Sequence, residues 1–261
     1  YVRQPGGKSE HIDTVVSVNA DGTRFTGNRP ARPLRHIYVL GDSFVFGDGV
    51  NDGQTFSFLL QSAFSRDAVH LHALGGYSWA NALVTLERLK DRISADDVIV
   101  LGYALYYKER HVAAPARLRS IRDWMATSFP DTELSANDRL IRARLDDTRQ
   151  PVLDTIPMHC KFNAAYCAGA EPSAAYTDEV SIALLRAIAG STKAKVYLLH
   201  MFGPKDDPVL ANLPAGVELI AATPADFSYV MRDDIMGFDD HGGPYWHYAM
   251  FMRLKQALAV D

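Results

Sequence analysis

Short apolar runs alternate with amphipathic stretches along most of this chain. Runs rich in β-branched residues predict five strands, at about residues 36–40, 68–74, 97–102, 195–200 and 217–221. The runs are compact, a pattern typical of parallel strands that are buried on both faces. Apolar residues at helical spacing predict helices at 54–65, 79–89, 178–190 and 246–258. This alternation predicts an α/β fold, a doubly wound (flavodoxin-like) and mostly parallel five-stranded sheet between helix layers.

Two segments depart from the alternation. Residues 1–35 are polar and turn-rich, so we expect an N-terminal appendage packed on a main domain at 36–261. Residues 103–177 form a long insertion after the third strand, which we expect to be a lid, a pocket wall or an exposed insertion. Within it, the patterns at 114–127 and 135–147 favour helices. No internal repeat or low-complexity tract is present.

Two polar residues stand at the expected starts of helices. Asp52 is placed to cap the helix at 54–65, and Ser78 is placed to cap the helix at 79–89.

Composition narrows the function classes. The 261 residues are 48% hydrophobic and 22% charged, ordinary values for a globular domain. The net charge of −4 and the lack of a long basic run argue against a nucleic-acid groove. No apolar stretch is long enough to span a bilayer. The sequence begins at Tyr1 rather than at Met, which leaves a leader or anchor upstream open.

Cys160 and Cys167 are the two cysteines. Two cysteines are too few for a disulfide scaffold, and their spacing does not fit a zinc knuckle. The sequence leaves open whether they are free thiols or form one local disulfide, which would indicate an extracytoplasmic protein.

The candidate chemistry lies in four loops. Three follow the carboxyl ends of consecutive strands and one precedes the last helix: 41–43 (Gly-Asp-Ser), 75–78 (Gly-Gly-Tyr-Ser), 102–104 (Gly-Tyr-Ala) and 239–241 (Asp-Asp-His). Open α/β sheets bind ligands at the carboxyl ends of their strands, so all four loops are expected at one crevice.

A serine at such a place is a candidate nucleophile if a base and a carboxylate accompany it. Ser43 supplies the hydroxyl and His241 the imidazole. Asp239 lies two residues before His241, so in an extended segment both side chains emerge on the same side. Asp240 would point away, although a turn could exchange the two carboxylates.

The chain resembles the SGNH (GDSL-type) hydrolase family from about residue 35 to its end. The resemblance is carried by Gly41-Asp42-Ser43-Phe44, Gly75-Gly76-Tyr77-Ser78 and Asp239-Asp240-His241, in that order. It implies that Ser43 is the nucleophile and that the backbone N–H groups of Ser43 and Gly76 are oxyanion donors. By the same resemblance, His241 is the general base and then acid, and Asp239 orients it.

The chain departs from that family in two places. Members usually carry an asparagine in the third block, where its amide completes the oxyanion hole, but here the block is Gly102-Tyr103-Ala104. Loss of one such donor costs on the order of 10²–10³ in rate. The commonest last block also places Asp three residues before His, and position 238 is Phe.

Further residues are candidates for substrate contact because they lie near expected strand ends: Asp42, Tyr103, Tyr106, Tyr107 and Trp246. Aromatic residues at such places more often belong to the core and rim than to a binding platform, and they would favour sugar stacking only if they line the crevice. We interpret His247 as a packing residue. His200 and the carboxylates after it lack metal-ligand spacing, so we expect no metal and no other cofactor.

The sequence favours a serine-dependent carboxylic-ester hydrolase that removes a small, acetyl-like acyl group from a small-molecule or glycan ester. One alternative is an acyltransferase that passes the acyl group to a carbohydrate hydroxyl. The other is a binding protein that keeps the fold without turnover. A periplasmic or secreted location is slightly favoured over a cytoplasmic one.

Overall fold

The computed structural model describes residues 2–3, 10–11, 14–221 and 241–259. Its strands are β1 (Val2–Arg3), β2 (Glu10–His11), β3 (His36–Gly41), β4 (Ala68–Ala73), β5 (Val98–Ala104), β6 (Arg139–Leu145), β7 (Pro151–Pro157), β8 (Lys195–Phe202) and β9 (Val217–Ala221). Its helices are α1 (Ser43–Phe46), α2 (Phe56–Ala63), α3 (Trp79–Leu89), α4 (Tyr107–His111), α5 (Pro115–Ser128), α6 (Ala164–Cys167), α7 (Ala174–Gly190), α8 (Pro208–Ala211) and α9 (Pro244–Leu258). Short 3-10 helices lie at Asp52–Gln54, Lys90–Arg92 and Cys160–Phe162.

The main sheet confirms the fold class expected from the sequence. Five strands pair in the order β4-β3-β5-β8-β9, and every pairing is parallel. The chain moves outward from β3 to β4 and then returns to place β5 on the other side of β3. The strand order therefore reverses beside β3, and such a switch point is where open sheets form a ligand crevice.

The core lies on both faces of the sheet. Strands β3 and β5 are buried along nearly their whole length, which agrees with their unbroken apolar sequences. Helix α2 packs against α9, and α3 packs against α7, so helices cover the sheet. Ser78 caps α3 as expected, because its hydroxyl accepts a hydrogen bond from the backbone N–H of Ala80.

The insertion is only partly helical. Helix α5 confirms the pattern at 114–127, but the helix expected at 135–147 is wrong. Strands β6 and β7 form an antiparallel hairpin there, and Arg142 pairs across it with Asp154 at 2.7 Å. Cross-strand pairs of this kind and packing against α7 stabilise the extended form over the helical one.

A buried arginine, Arg24, is one of the residues that join the segment before β3 to the loop after α1. The side chain of Arg24 is 1% exposed, and its Nη atoms donate to the backbone oxygens of Phe46, Gly47 and Val50. Its Nε donates to Asp52 at 2.9 Å. Asp52 thus binds Arg24, and the prediction that it caps α2 is wrong.

Thr55 caps α2 instead, since its hydroxyl accepts from the N–H of Phe58. Asp52 lies too early in the chain, in the 3-10 helix that precedes α2.

Cys160 and Cys167 form a disulfide, which resolves the alternative that the sequence left open. The bond closes the loop around α6, beside Leu118 of α5. Within the described residues, no helix combines the length and the apolar character needed to cross a bilayer.

Candidate active site

Ser43 lies at the carboxyl end of strand β3, where it is the first residue of α1. The chain turns sharply there, and two glycines make the turn possible. A Cβ on Gly41 or on Gly102 would overlap the side chain of Val45. Glycine at both positions lets α1 fold back onto β3 and β5. This places Ser43 at the carboxyl ends of these strands. Ser43 is buried, with 6% of its surface exposed.

Asp42 is a structural residue in this turn. It is fully buried, and its Oδ1 accepts a hydrogen bond from the N–H of Phe44. Its Oδ2 accepts from the Tyr106 hydroxyl at 2.8 Å and from Arg110 Nη1 at 2.6 Å. The carboxylate is thus occupied by protein donors, so Asp42 positions the turn rather than contacting a ligand directly.

Tyr106 contributes its hydroxyl to this network. Burial and then the neighbouring Asp42 carboxylate raise the pKa of Tyr106, so the hydroxyl stays protonated and donates. The guanidinium of Arg110 lies 4.3 Å from the centre of the Tyr106 ring, which adds a cation–π contact.

The second loop follows β4, the strand adjacent to β3. The N–H of Leu74 donates to the carbonyl of Gly41, which ties this loop to the turn before Ser43. Gly76 has φ of +82°, a left-handed conformation that favours glycine. A Cβ on Gly76 would meet one neighbour within 4 Å, Arg117 Nη2 at 3.8 Å.

The third loop, after β5, contributes packing. Tyr103, Tyr107 and Trp246 expose no surface, so these three expected contact residues belong to the core. The Tyr103 hydroxyl donates to Asp207 at 2.9 Å, and the Tyr103 and Tyr107 rings pack at a tilt with their centres 6.3 Å apart. Burial of these large apolar rings in the core stabilises the fold more than exposure at the rim of a crevice would. The sequence does not distinguish a core position from a rim position.

His241 reaches the same edge of the sheet from the other end of the chain. Its ring lies 4.8 Å, centre to centre, from the ring of Phe44, the residue after Ser43. Asp239 and Asp240 lie outside the described residues. His247 is a packing residue as expected: its Nδ1 accepts from the N–H of Phe56.

The insertion supplies two residues that the sequence did not single out. Arg110 of α4 binds Asp42, and Arg117 of α5 lies beside Gly76. Burial and then the charge of Arg110 lower the pKa of Arg117 to about 10, so the Arg117 guanidinium is charged at neutral pH. No motif marks either residue, and Arg117 lies too far along the chain from Gly76 for a local pattern to relate the two.

The arrangement brings a serine hydroxyl, an imidazole, a left-handed glycine turn and a cation to one edge of a parallel sheet. These are the group types that acyl transfer at serine uses: a nucleophile, a base and donors for a developing oxyanion.

No family model and no curated protein matches the chain. Solved structures with a similar fold include a lipolytic protein of the G-D-S-L family from Veillonella parvula, which is 10% identical over 86% of this chain and 98% of that chain, with a TM-score of 0.47. An alpha/beta hydrolase from the metagenome of Lake Arreo is 10% identical over 87% and 96%, with a TM-score of 0.49. A catalytic mutant of an acetylxylan esterase from Geobacillus stearothermophilus is 9% identical over 88% and 96%, with a TM-score of 0.44. The likeness is one of fold.

Proposed function

We propose that this protein is a serine-dependent carboxylic-ester hydrolase that removes a small acyl group through an acyl-enzyme on Ser43. The observation that supports the proposal is the placement of Ser43 and Gly76 in loops at the carboxyl ends of β3 and β4, with the His241 ring 4.8 Å from the ring of Phe44, the residue after Ser43. The near-complete burial of Ser43 favours a small acyl group such as acetyl.

In this mechanism His241 takes the hydroxyl proton as Ser43 Oγ bonds to the ester carbonyl carbon. The carbonyl π electrons move to oxygen, and the oxyanion accepts hydrogen bonds from the N–H groups of Ser43 and Gly76. The carbonyl re-forms as the bond to the alcohol breaks, and His241 gives its proton to the leaving alkoxide. Water, deprotonated by His241, then bonds to the acyl carbon; the carbonyl re-forms as the bond to Ser43 Oγ breaks, and His241 returns the proton to Oγ as the acid leaves. Asp239 would orient the imidazole.

Two observations bear on the alternatives and the location. An acyltransferase with an aromatic acceptor platform at Tyr106 and Tyr107 is disfavoured, because Tyr107 is buried and the Tyr106 hydroxyl is bound to Asp42. The Cys160–Cys167 disulfide favours an oxidising compartment, so we propose a periplasmic or secreted protein, for which a glycan ester is an accessible substrate.

Hydrolysis of 4-nitrophenyl acetate by matched variants tests the proposal. Ser43→Ala should reduce kcat to the background rate, and His241→Ala should reduce it by at least about 10³-fold. Ser65→Ala removes an exposed hydroxyl just after α2 and should leave the rate unchanged. Equal rates for wild type and Ser43→Ala would reject the proposed mechanism. A 4-nitrophenyl octanoate arm should show the preference for the short acyl chain.

A further inference from the structure

The oxyanion donors described so far are two backbone N–H groups, and the third loop adds no side-chain amide. Residues 102–107 read Gly-Tyr-Ala-Leu-Tyr-Tyr, and Ala104 ends in a methyl group. The Tyr106 hydroxyl is already engaged with Asp42. Tyr107 exposes no surface, which leaves other elements as the source of a third donor.

Arg117 is the side chain placed to supply it. It lies in the first turn of α5, and its Nη2 is the nearest atom, at 3.8 Å, to the position that a Cβ of Gly76 would take. Apart from Gly76 itself and its two neighbours in sequence, no other atom of the described residues lies within 4 Å of that position. The guanidinium thus faces the free side of the glycine whose N–H is a proposed oxyanion donor.

Arg117 also differs from the other arginines of α5. Arg119 pairs with Glu171 at 2.6 Å, and the exposed Arg122 pairs with its neighbour Asp123 at 2.8 Å. Arg117 is the more buried group, yet it has no hydrogen-bond or ion-pair partner among residues 14–221 and 241–259. A partly buried cation without a partner is costly, so a site that retains one is suited to an anionic ligand.

The charges around Arg117 add to this preference. Arg110 is close enough to disfavour the charge on Arg117, and Asp42, the carboxylate that most favours that charge, already accepts from Arg110. Two guanidinium groups thus share one buried carboxylate. The other carboxylate that favours the charge on Arg117, Glu109, is exposed to solvent.

The turn between α4 and α5 holds these two arginines in place. Ala113 adopts φ of +47° there, a left-handed conformation that is unfavourable for an alanine, and Pro115 starts α5. The disulfide at Cys160–Cys167 packs against Ala113 and Leu118. The helix that carries Arg117 is therefore anchored in a small core of its own.

We propose that the Arg117 guanidinium is the third oxyanion donor of this site, in place of a side-chain amide. The inference rests on the proposed function. As Ser43 Oγ bonds to the carbonyl carbon, the electron pair that moves to the carbonyl oxygen is stabilised by Arg117 together with the N–H groups of Ser43 and Gly76. When the carbonyl re-forms, the interaction weakens, so Arg117 stabilises the transition state more than the bound ester.

The test compares Arg117→Met, Arg117→Lys and Arg122→Met on a neutral ester, 4-nitrophenyl acetate. We expect Arg117→Met to lower kcat about 10²–10³-fold with KM changed less than about threefold, because the lost interaction belongs to the transition state. Arg117→Lys should retain part of the rate, since it keeps a cationic donor. Arg122→Met, on the same helix, should match wild type. Added guanidinium ion should partly restore an Arg117→Ala variant, a response that a purely structural role would not give.

An ester with a carboxylate in its acyl group, 4-nitrophenyl hemisuccinate, forms the second arm. If Arg117 instead binds a substrate carboxylate, its loss would raise KM for the hemisuccinate and leave the acetate unaffected, which overturns the inference. Ser43-dependent hydrolysis that is unchanged in both Arg117→Met and Arg117→Lys overturns it as well, while the proposed function stands. Absence of Ser43-dependent hydrolysis in wild type rejects the proposed function, and this inference with it.

Discussion

Arg24 Nε lies 2.9 Å from Asp52 Oδ1, and this buried pair joins the segment before β3 to the loop that follows Ser43. The same guanidinium donates to three backbone oxygens of that loop. Asp52 in turn accepts from the backbone N–H of Ser17. The N-terminal segment therefore helps to support the turn that carries Ser43.

Arg24→Met should destabilise the protein by about 3–5 kcal/mol, because it leaves the Asp52 carboxylate and three carbonyl oxygens buried without their donor. Chemical denaturation followed by circular dichroism measures the change. Arg32→Met, an exposed arginine of the same segment, should change the free energy of unfolding by less than about 0.5 kcal/mol. Equal effects of the two substitutions would contradict the role given to Arg24.

Gly41→Ala and Gly190→Ala should change stability in opposite directions. A Cβ at Gly41 would overlap the buried Val45 side chain, and we expect a loss of about 1–3 kcal/mol together with lower activity, since the turn carries Ser43. A Cβ at Gly190 meets nothing within 4 Å at the end of α7, so alanine should gain up to about 1 kcal/mol. Thermal melts of both variants check the signs, and a neutral Gly41→Ala would remove the steric explanation of that glycine.

His247 gives a pH dependence of stability that can be measured directly. Burial, then the charges of Arg24 and His241, lower the pKa of His247 to about 3. In the unfolded chain a histidine has a pKa near 6.5. The unfolded state therefore binds the extra proton between about pH 6.5 and 3, and stability falls as the pH drops through this window.

Replacing His247 with Asn removes this titration. The variant is expected to be less stable at pH 7, because packing is lost, but its stability should fall by about 2 kcal/mol less than that of wild type between pH 7 and 5. Urea denaturation at pH 7, 6 and 5 measures the difference. Parallel curves for the two proteins would show that His247 does not titrate as described.

Local patterns predict the main sheet well. Strands β3 and β5 are continuous apolar runs, and their burial on both faces follows from the sequence alone. The hairpin of β6 and β7 could not be predicted in this way. Its extended form depends on pairs such as Arg142–Asp154, and local propensity does not report such partners.

The residues of the candidate site likewise differ in whether a local sequence pattern predicts them. Ser43 and Gly76 are recognisable because glycine punctuation after a strand is a local signal. Arg117 is not, because it meets Gly76 only through the path of the insertion. Tyr103 and Trp246 illustrate a further limit, since an aromatic residue near a strand end has the same sequence pattern whether it forms the core or a crevice wall.

Covalent labelling tests most directly whether Ser43 is a nucleophile, independently of which ester is the substrate. A small 4-nitrophenyl alkylphosphonate should add one phosphonyl group to the wild-type protein, seen by intact mass and mapped by peptide analysis to Ser43. The adduct should be absent in Ser43→Ala, present in Ser65→Ala and slower to form in His241→Ala. An unlabelled wild-type protein, or an adduct that persists in Ser43→Ala, would contradict the account.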